Sequence, residues 1–323
     1  MTEPTSPTGE SPAPDAASAD SAQDDTPLSP AAPPPETVDW WGEVRGLGLM
    51  LLAVIVFHSL IAKPFFIPSI SMMPNLLVGD RLVVSKYPYG WSWVSASFHV
   101  LPRGEKRLLA RTPEYGDIVI AVPPDRDEDY IKRVVALPGD RIAVVHGQII
   151  LNGRLVSQEA EPPVQIPADP QLLCDGAPCY DMFERYRTRL ADGREVFELP
   201  AFRETLPNGA SYTIIDHTDQ MLDNYPETLV PQGHVFLMGD NRDHSADSRA
   251  SIEERGLGGP VPLANIGGRA EFITFSLDGS ESFNPLTWWS SLRKDRAWRR
   301  LRPELRGKGP VRAAAPDGTV TAR

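Results

Sequence analysis

Residues 67–76 read IPSISMMPNL, with Ser69 and Ser71 one residue apart between Pro68 and Pro74, and Met72 and Met73 directly after them. A packing segment has no use for the hydroxyls, and a polar linker has no use for the methionines. A serine hydroxyl is a weak nucleophile near neutral pH and needs a base within hydrogen-bond reach. Lysine can be that base once burial in an apolar pocket lowers its pKa from about 10.4. Lys132 stands in Tyr-Ile-Lys-Arg-Val-Val. Strand alternation puts it on one face with Tyr130 and Val134, and puts Ile131 and Arg133 on the other. Such a lysine is desolvated if its face points inward; taken alone it reads as a charge protecting a sheet edge.

The remaining chemistry-bearing residues offer less. His58, His99, His146, His217, His234 and His244 form no HExxH motif, and no GxSxG elbow is present. His244 and Asp247 could join a serine in a triad, since triads keep no fixed sequence order. Ser291 and Lys294 match SxxK, but they lie in a basic tail without companion motifs. Cys174 and Cys179 are the two cysteines. They can close a small disulfide if the compartment oxidises thiols; the alternatives are two free thiols or half of a metal site. With no second cysteine pair or histidine-rich segment, no metal is expected.

Other elements must position the serines and the lysine. Gly46–Ala62 is a run of 17 residues without formal charge, 19 if Val44 and Arg45 are included. That is near the lower limit for crossing a hydrocarbon core of about 30 Å. Trp40 and Trp41 mark its first border. Residues 1–40 hold nine prolines, eight acids and no base, a composition that cannot bury enough apolar surface to order itself. The net charge of −11 is uneven: residues 293–312 carry nine bases against two acids, and the middle is only mildly acidic, which gives no support to a nucleic-acid groove. After Pro68 the helical period ends. Short β-branched runs at 81–87, 117–122, 130–137, 141–147, 148–153, 211–216, 234–240 and 269–277 are bounded by turn signals, with His146-Gly147 and Asn152-Gly153 as hairpin corners.

The expected fold is therefore mainly β: a single transmembrane helix, then a twisted, barrel-like β domain with an inserted second β subdomain. The boundaries are a disordered acidic tail at 1–43, an anchor at 44–62, a catalytic core from 63–153 and 232–280, an insertion at 154–231, and a basic tryptophan-containing segment at 281–323. Residues 91–98, WSWVSASF, are expected at the bilayer surface, with a buried aromatic cluster as the alternative.

Pro68-Ser-Ile-Ser71-Met-Met-Pro74 resembles the nucleophile box of bacterial type I signal peptidases. Residues 79–87, then 115–120 with 129–141, then 239–249 (GDNRDHSADSR) resemble three further boxes in the family's order. Asn75, Ala136 and His244 stand where Thr, Gly and Asn are commoner. The resemblance implies Ser71 as nucleophile and Lys132 as general base, with Ser69 and the Ser71 amide as oxyanion donors. It implies that Ser245 orients the amine and that Asp247, Arg133 and Arg249 form the polar scaffold. Phe65, Ile67, Pro68, Met72, Leu76, Leu82, Ile120, Asp129, Tyr130 and Ile131 match positions lining the substrate pockets. By the same resemblance the chain would be a monomeric endopeptidase of the inner membrane. It would need no cofactor and would act on signal-peptide-bearing preproteins from the extracytoplasmic side. A related self-cleaving Ser-Lys protease and an inactive anchored scaffold are the rival readings.

Overall fold

The computed structural model describes residues 39–97, 101–169, 173–174, 177–178, 180–280, 284, 288–307 and 312–313. Two units separate at Gly46/Leu47. In the first, Asp39 caps the start of helix α1 (Trp40–Leu60): its Oδ1 accepts from the Gly42 amide at 3.1 Å. The helix begins four residues before the expected anchor and takes in both tryptophans. It stops two residues early because Pro64 disfavours helical backbone at Lys63, and Ala62 already starts a strand. No residue of α1 is buried, and by length and composition it is able to cross a membrane. The tail at 1–38 lies outside the described residues, as do Phe98, His99 and Cys179 and the side chain of Cys174, and with them the disulfide.

The second unit is built on a seven-stranded antiparallel sheet. Its strands are β1 (Ala62–Phe66), β2 (Asp80–Ser85), β3 (Ile118–Ala121), β4 (Tyr130–Ala136), β5 (His234–Met238), β6 (Val261–Pro262) and β7 (Ile266–Ser276). They run in the order β1-β2-β7-β3-β4-β5-β6. In a flat sheet β1 and β4 would be roughly 19 Å apart at four strand spacings. Here Lys63 Nζ lies 3.8 Å from Asp129 Oδ2, beside the start of β4, so the sheet curls back on itself. The fold is mainly β, with a curled half-barrel sheet.

The insertion carries a second sheet, to which Glu304–Leu305 of the C-terminal segment adds a strand beside Ala210–Ile215. Ser157–Pro167 pairs with Glu195–Thr205, which also pairs with Arg187–Arg189 and Ala210–Ile215. Its boundaries are less clean than expected, because Tyr225–Leu229 pairs with Arg141–Val145 in a third sheet. The two hairpin corners form there: His146 (φ 48°) and Gly147 (φ 76°) join Val145 to Gln148, and Asn152 (φ 53°) and Gly153 (φ 72°) join Leu151 to Arg154. Both pairs adopt the positive φ that two-residue hairpins require.

One expectation about a peripheral segment needs correction. Trp93 is buried against Val94, Val122 and Ala264, and Trp91 donates Nε1–H to the Leu60 carbonyl at 2.8 Å, so Trp93 packs in the protein interior instead of facing lipid. Residues 288–307 of the basic C-terminal segment pack on the body. Arg296 grips Asp80 and the Asn75 carbonyl, Leu301 enters the core cluster of the curled sheet, and Trp298 stacks on Phe272 at 5.5 Å.

Candidate active site

The segment from Ile67 to Asp80 is a closed loop. The Ile67 amide donates to the Asp80 carbonyl at 3.0 Å, and the Gly79 amide donates to the Ile67 carbonyl at 3.1 Å. Gly79 (φ 92°) sits where a Cβ would lie 2.1 Å from the Leu277 carbonyl oxygen, so no other residue closes the loop this tightly. Inside it the apolar residues divide between two cores. Ile67, Met72 and Leu76 pack with Leu82, Ile120 and Ile131 of the curled sheet. Ile70, Met73 and Leu77 pack with Ile166, Phe197 and Leu199 of the inserted sheet. The adjacent methionines thus face opposite ways, wedging Ser71 between the two halves.

Strand β4 brings the amine. Lys132 Nζ lies 2.9 Å from Ser71 Oγ and 3.0 Å from the Ile131 carbonyl oxygen. The pKa of the lysine is lowered to about 8: burial is the largest cause, Asp247 and Asp240 pull the other way, and the positive charge of Arg249 adds to the lowering. Tyr130 shares the face of Lys132, with Nζ 5.4 Å from its ring centroid. Ser69 Oγ stands 3.3 Å from Ser71 Oγ. The Asn241 amide donates to the Ser71 carbonyl at 3.1 Å, and Asn241 Nδ2 donates to the Ile70 carbonyl at 3.2 Å, fixing the Ser71 backbone from the 239–249 loop.

The expected supporting residues divide. Asp247 and Arg249 form one buried unit. Arg249 Nε donates to Asp247 Oδ1 at 3.0 Å, and the Gly239 amide donates to Asp247 Oδ2 at 2.9 Å. Burial pushes the Asp247 carboxyl up, but the charge of Arg249 and these bonds outweigh it and hold it below its usual range. Arg133 is not part of that unit. Alternation sends it to the other face of β4, where Nε and Nη2 each reach Asp240 at 2.6 Å and Nη1 reaches the Gly116 carbonyl at 2.7 Å. Nor does Ser245 bond to the amine. Among the described residues its buried Oγ has no hydrogen-bond partner, and it packs on Gly239, where a Cβ would lie 2.2 Å from Ser245 Oγ and 2.6 Å from the Ser71 carbonyl oxygen.

Of the expected pocket residues, Ile67, Met72, Leu76, Leu82, Ile120 and Ile131 are buried in one cluster. Phe65 and Tyr130 are half-buried, and Pro68 and Asp129 are exposed. β1 lies at the end of its sheet, and β5 pairs with β4 only from Arg133 onward. Among the described residues, one side of β1 and one side of Tyr130–Lys132 therefore have no strand partner.

Several supporting residues escaped sequence reasoning: Asn75, Asn241, Asp240, Arg242, Glu204 and Tyr212. Asn75 Nδ2 donates to Asp240 Oδ2 at 2.8 Å and to the Thr213 carbonyl at 2.7 Å. Arg242 Nη2 pairs with Glu204 at 2.7 Å, and the Arg133 guanidinium lies 3.9 Å from the Tyr212 ring centroid. Asp240, Asn241 and Arg242 belong to the GDNRDHSADSR box, which was their only signal. Glu204 and Tyr212 have none, because they come from the inserted sheet.

A buried amine in contact with a serine hydroxyl, with a second hydroxyl alongside, is the equipment of a serine hydrolase that uses lysine where others use histidine. The family described as signal peptidase, peptidase S26, matches residues 40–275. A signal peptidase I of Rickettsia typhi (strain ATCC VR-144 / Wilmington) is 32% identical over 263 residues, covering 77% of this chain and 83% of that protein. One from Rickettsia bellii (strain OSU 85-389) is 32% identical over 258 residues, covering 77% and 75%. A solved signal peptidase I from Enterococcus faecalis V583 aligns at 20% identity over 49% of this chain and 97% of that one, with a TM-score of 0.25. The chain belongs to the peptidase S26 family of signal peptidases and is an enzyme of the peptide-bond-hydrolysing class.

Proposed function

We propose that the chain is a membrane-anchored serine endopeptidase that removes N-terminal signal peptides from exported preproteins, with Ser71 as nucleophile and Lys132 as general base. The observation that carries this reading is the 2.9 Å contact between Ser71 Oγ and an amine buried enough to titrate at about 8. The neutral amine accepts the hydroxyl proton as Oγ attacks the scissile carbonyl carbon. The tetrahedral oxyanion is held by the Ser71 amide and Ser69 Oγ. The ammonium then returns the proton to the leaving amine as the C–N bond breaks, leaving an ester on Ser71. Water attacks that ester, Lys132 takes its proton, and the cleaved carboxyl end departs as Oγ is re-protonated.

The substrate enters as an added strand between the unpaired sides of β1 and Tyr130–Lys132. Phe65, Pro68, Asp129 and Tyr130 form the rim of its pockets, and the buried cluster beneath forms their floor. Asp247 and Arg249 hold the 239–249 loop. Ser245, whose buried Oγ has no hydrogen-bond partner among the described residues, orients the amine when substrate is bound. Helix α1 crosses the inner membrane once with the β domain outside, because cleavage follows translocation. That compartment also allows Cys174 and Cys179 to pair.

The test is cleavage of a preprotein by the detergent-solubilised full chain. Wild type cuts at the signal-peptide junction, and Ser71→Ala and Lys132→Ala do not. Undiminished cleavage by either variant removes the dyad, and a wild type inert towards a panel of preproteins leaves the scaffold reading. Protease added to intact spheroplasts should cut near Cys174; cutting only after lysis reverses the orientation.

A further inference from the structure

On the side of β4 away from Lys132, a polar cleft of about 200 Å³ opens where the curled sheet, the inserted sheet and the C-terminal segment meet. Five arginines line it, from all three parts: Arg133, Arg203, Arg299, Arg300 and Arg302. Three already have acidic partners. Arg133 is matched by Asp240 at 2.6 Å, Arg203 by Glu161 at 2.7 Å, and Arg302 by Asp117 at 3.3 Å. Glu304, the carboxylate in the lining, lies 3.8 Å from Arg203 and 3.5 Å from Arg306. Arg299 and Arg300 form no ion pair among the described residues. Both are exposed and able to turn towards a ligand. Deeper in, Ser211 is 2% exposed; its Oγ accepts from Thr205 Oγ1 at 3.1 Å and retains its own proton to donate.

We infer that this cleft is a binding site for a small phosphate-type oxyanion, held by Arg299 and Arg300 and by the Ser211 hydroxyl. Guanidinium forks match the oxygens of such a group, and a cavity of this size holds a phosphate carrying a short polar substituent. Although much of the Arg299 side chain is exposed, partial burial of its guanidinium and the positive charge of Arg296 outweigh the pull of Asp80 and lower its pKa from the ordinary range, a cost that a bound anion relieves. Two sources share this chemistry: free phosphate esters, and the glycerophosphate head of an anionic lipid. The inference does not depend on the peptidase reading, since nothing in the cleft touches Ser71.

The experiment measures thermal unfolding of the full chain in neutral detergent, with sodium phosphate or glycerol 3-phosphate against sodium chloride at equal ionic strength. A ligand that binds only the folded state raises the midpoint, by about 3–6 °C near saturation. The shift should vanish in Arg299→Gln/Arg300→Gln, whose exposed side chains carry no core packing and whose midpoint in chloride should match wild type. Reconstitution into phosphatidylcholine with or without phosphatidylglycerol separates the sources. If the lipid head is the ligand, added phosphate has no effect once phosphatidylglycerol is present. If free phosphate is the ligand, it stabilises equally in both bilayers. No shift over chloride with either oxyanion overturns the site, and so does a full shift in the double variant.

Discussion

Lys132 and Arg133 are neighbours in one strand, both cationic in water, both buried, and treated in opposite ways. Lys132 has a hydroxyl, one carbonyl and the Tyr130 ring at 5.4 Å but no carboxylate in contact, and its pKa falls to about 8. Arg133 has two bonds to Asp240, a carbonyl and an aromatic face, and its pKa is raised: burial works against the charge, and Asp240 more than offsets it. One face of β4 gives its cation no carboxylate in contact, which favours the neutral amine. The other supplies a carboxylate so that two sheets stay joined. Burial by itself does not decide what a cation does; the partner provided with it does.

Replacing each residue by methionine breaks the comparison most directly. Lys132→Met should reduce kcat/KM by about 10³–10⁴. Its unfolding midpoint should stay level or rise, because a desolvated amine has been removed. Arg133→Met leaves Asp240 buried without its partner and should cost about 3–5 kcal/mol, read by denaturant unfolding. A destabilised Lys132→Met, or an Arg133→Met as stable as wild type, would overturn the assignment of roles.

Ser69→Ala tests the hydroxyl beside Ser71. As an oxyanion donor it should be worth about 10²–10³ in kcat, with KM little changed. Loss through KM instead would make Ser69 a substrate contact. The pH profile sharpens the lysine side. Activity needs the neutral amine, so log kcat/KM should climb with unit slope as pH rises and level off above about 8. A plateau reached already at pH 6 would mean that another group is the base. The smallest effect belongs to the outer face: Trp298→Ala removes the stack on Phe272 and should cost about 0.5–1.5 kcal/mol without changing the profile.

Much of this was legible in the chain because the information was local. Alternation in Tyr-Ile-Lys-Arg-Val-Val separated Lys132 from Arg133, as the structure shows, and the His-Gly and Asn-Gly pairs marked real hairpin corners. The apolar run marked α1 to within a few residues. Trp93 failed as a membrane contact because composition does not tell whether a tryptophan faces lipid or a pocket made by Val122 and Ala264, residues distant in sequence. The packing of the C-terminal arginines was not legible, because Asp80, which pairs with Arg296, is 216 positions away.

The sequence by itself therefore determined the membrane-length helix, the β character, the serine pair and a strand lysine able to reach it. These follow from periodicity and from side-chain chemistry. Only the tertiary structure decided that Met72 and Met73 face opposite cores, that Arg133 belongs to Asp240 rather than Asp247, and that the insertion supplies Tyr212 and Glu204 behind the site. Each of these depends on which distant strands pack together. That choice is made by the curl of a sheet, which no short stretch of chain encodes.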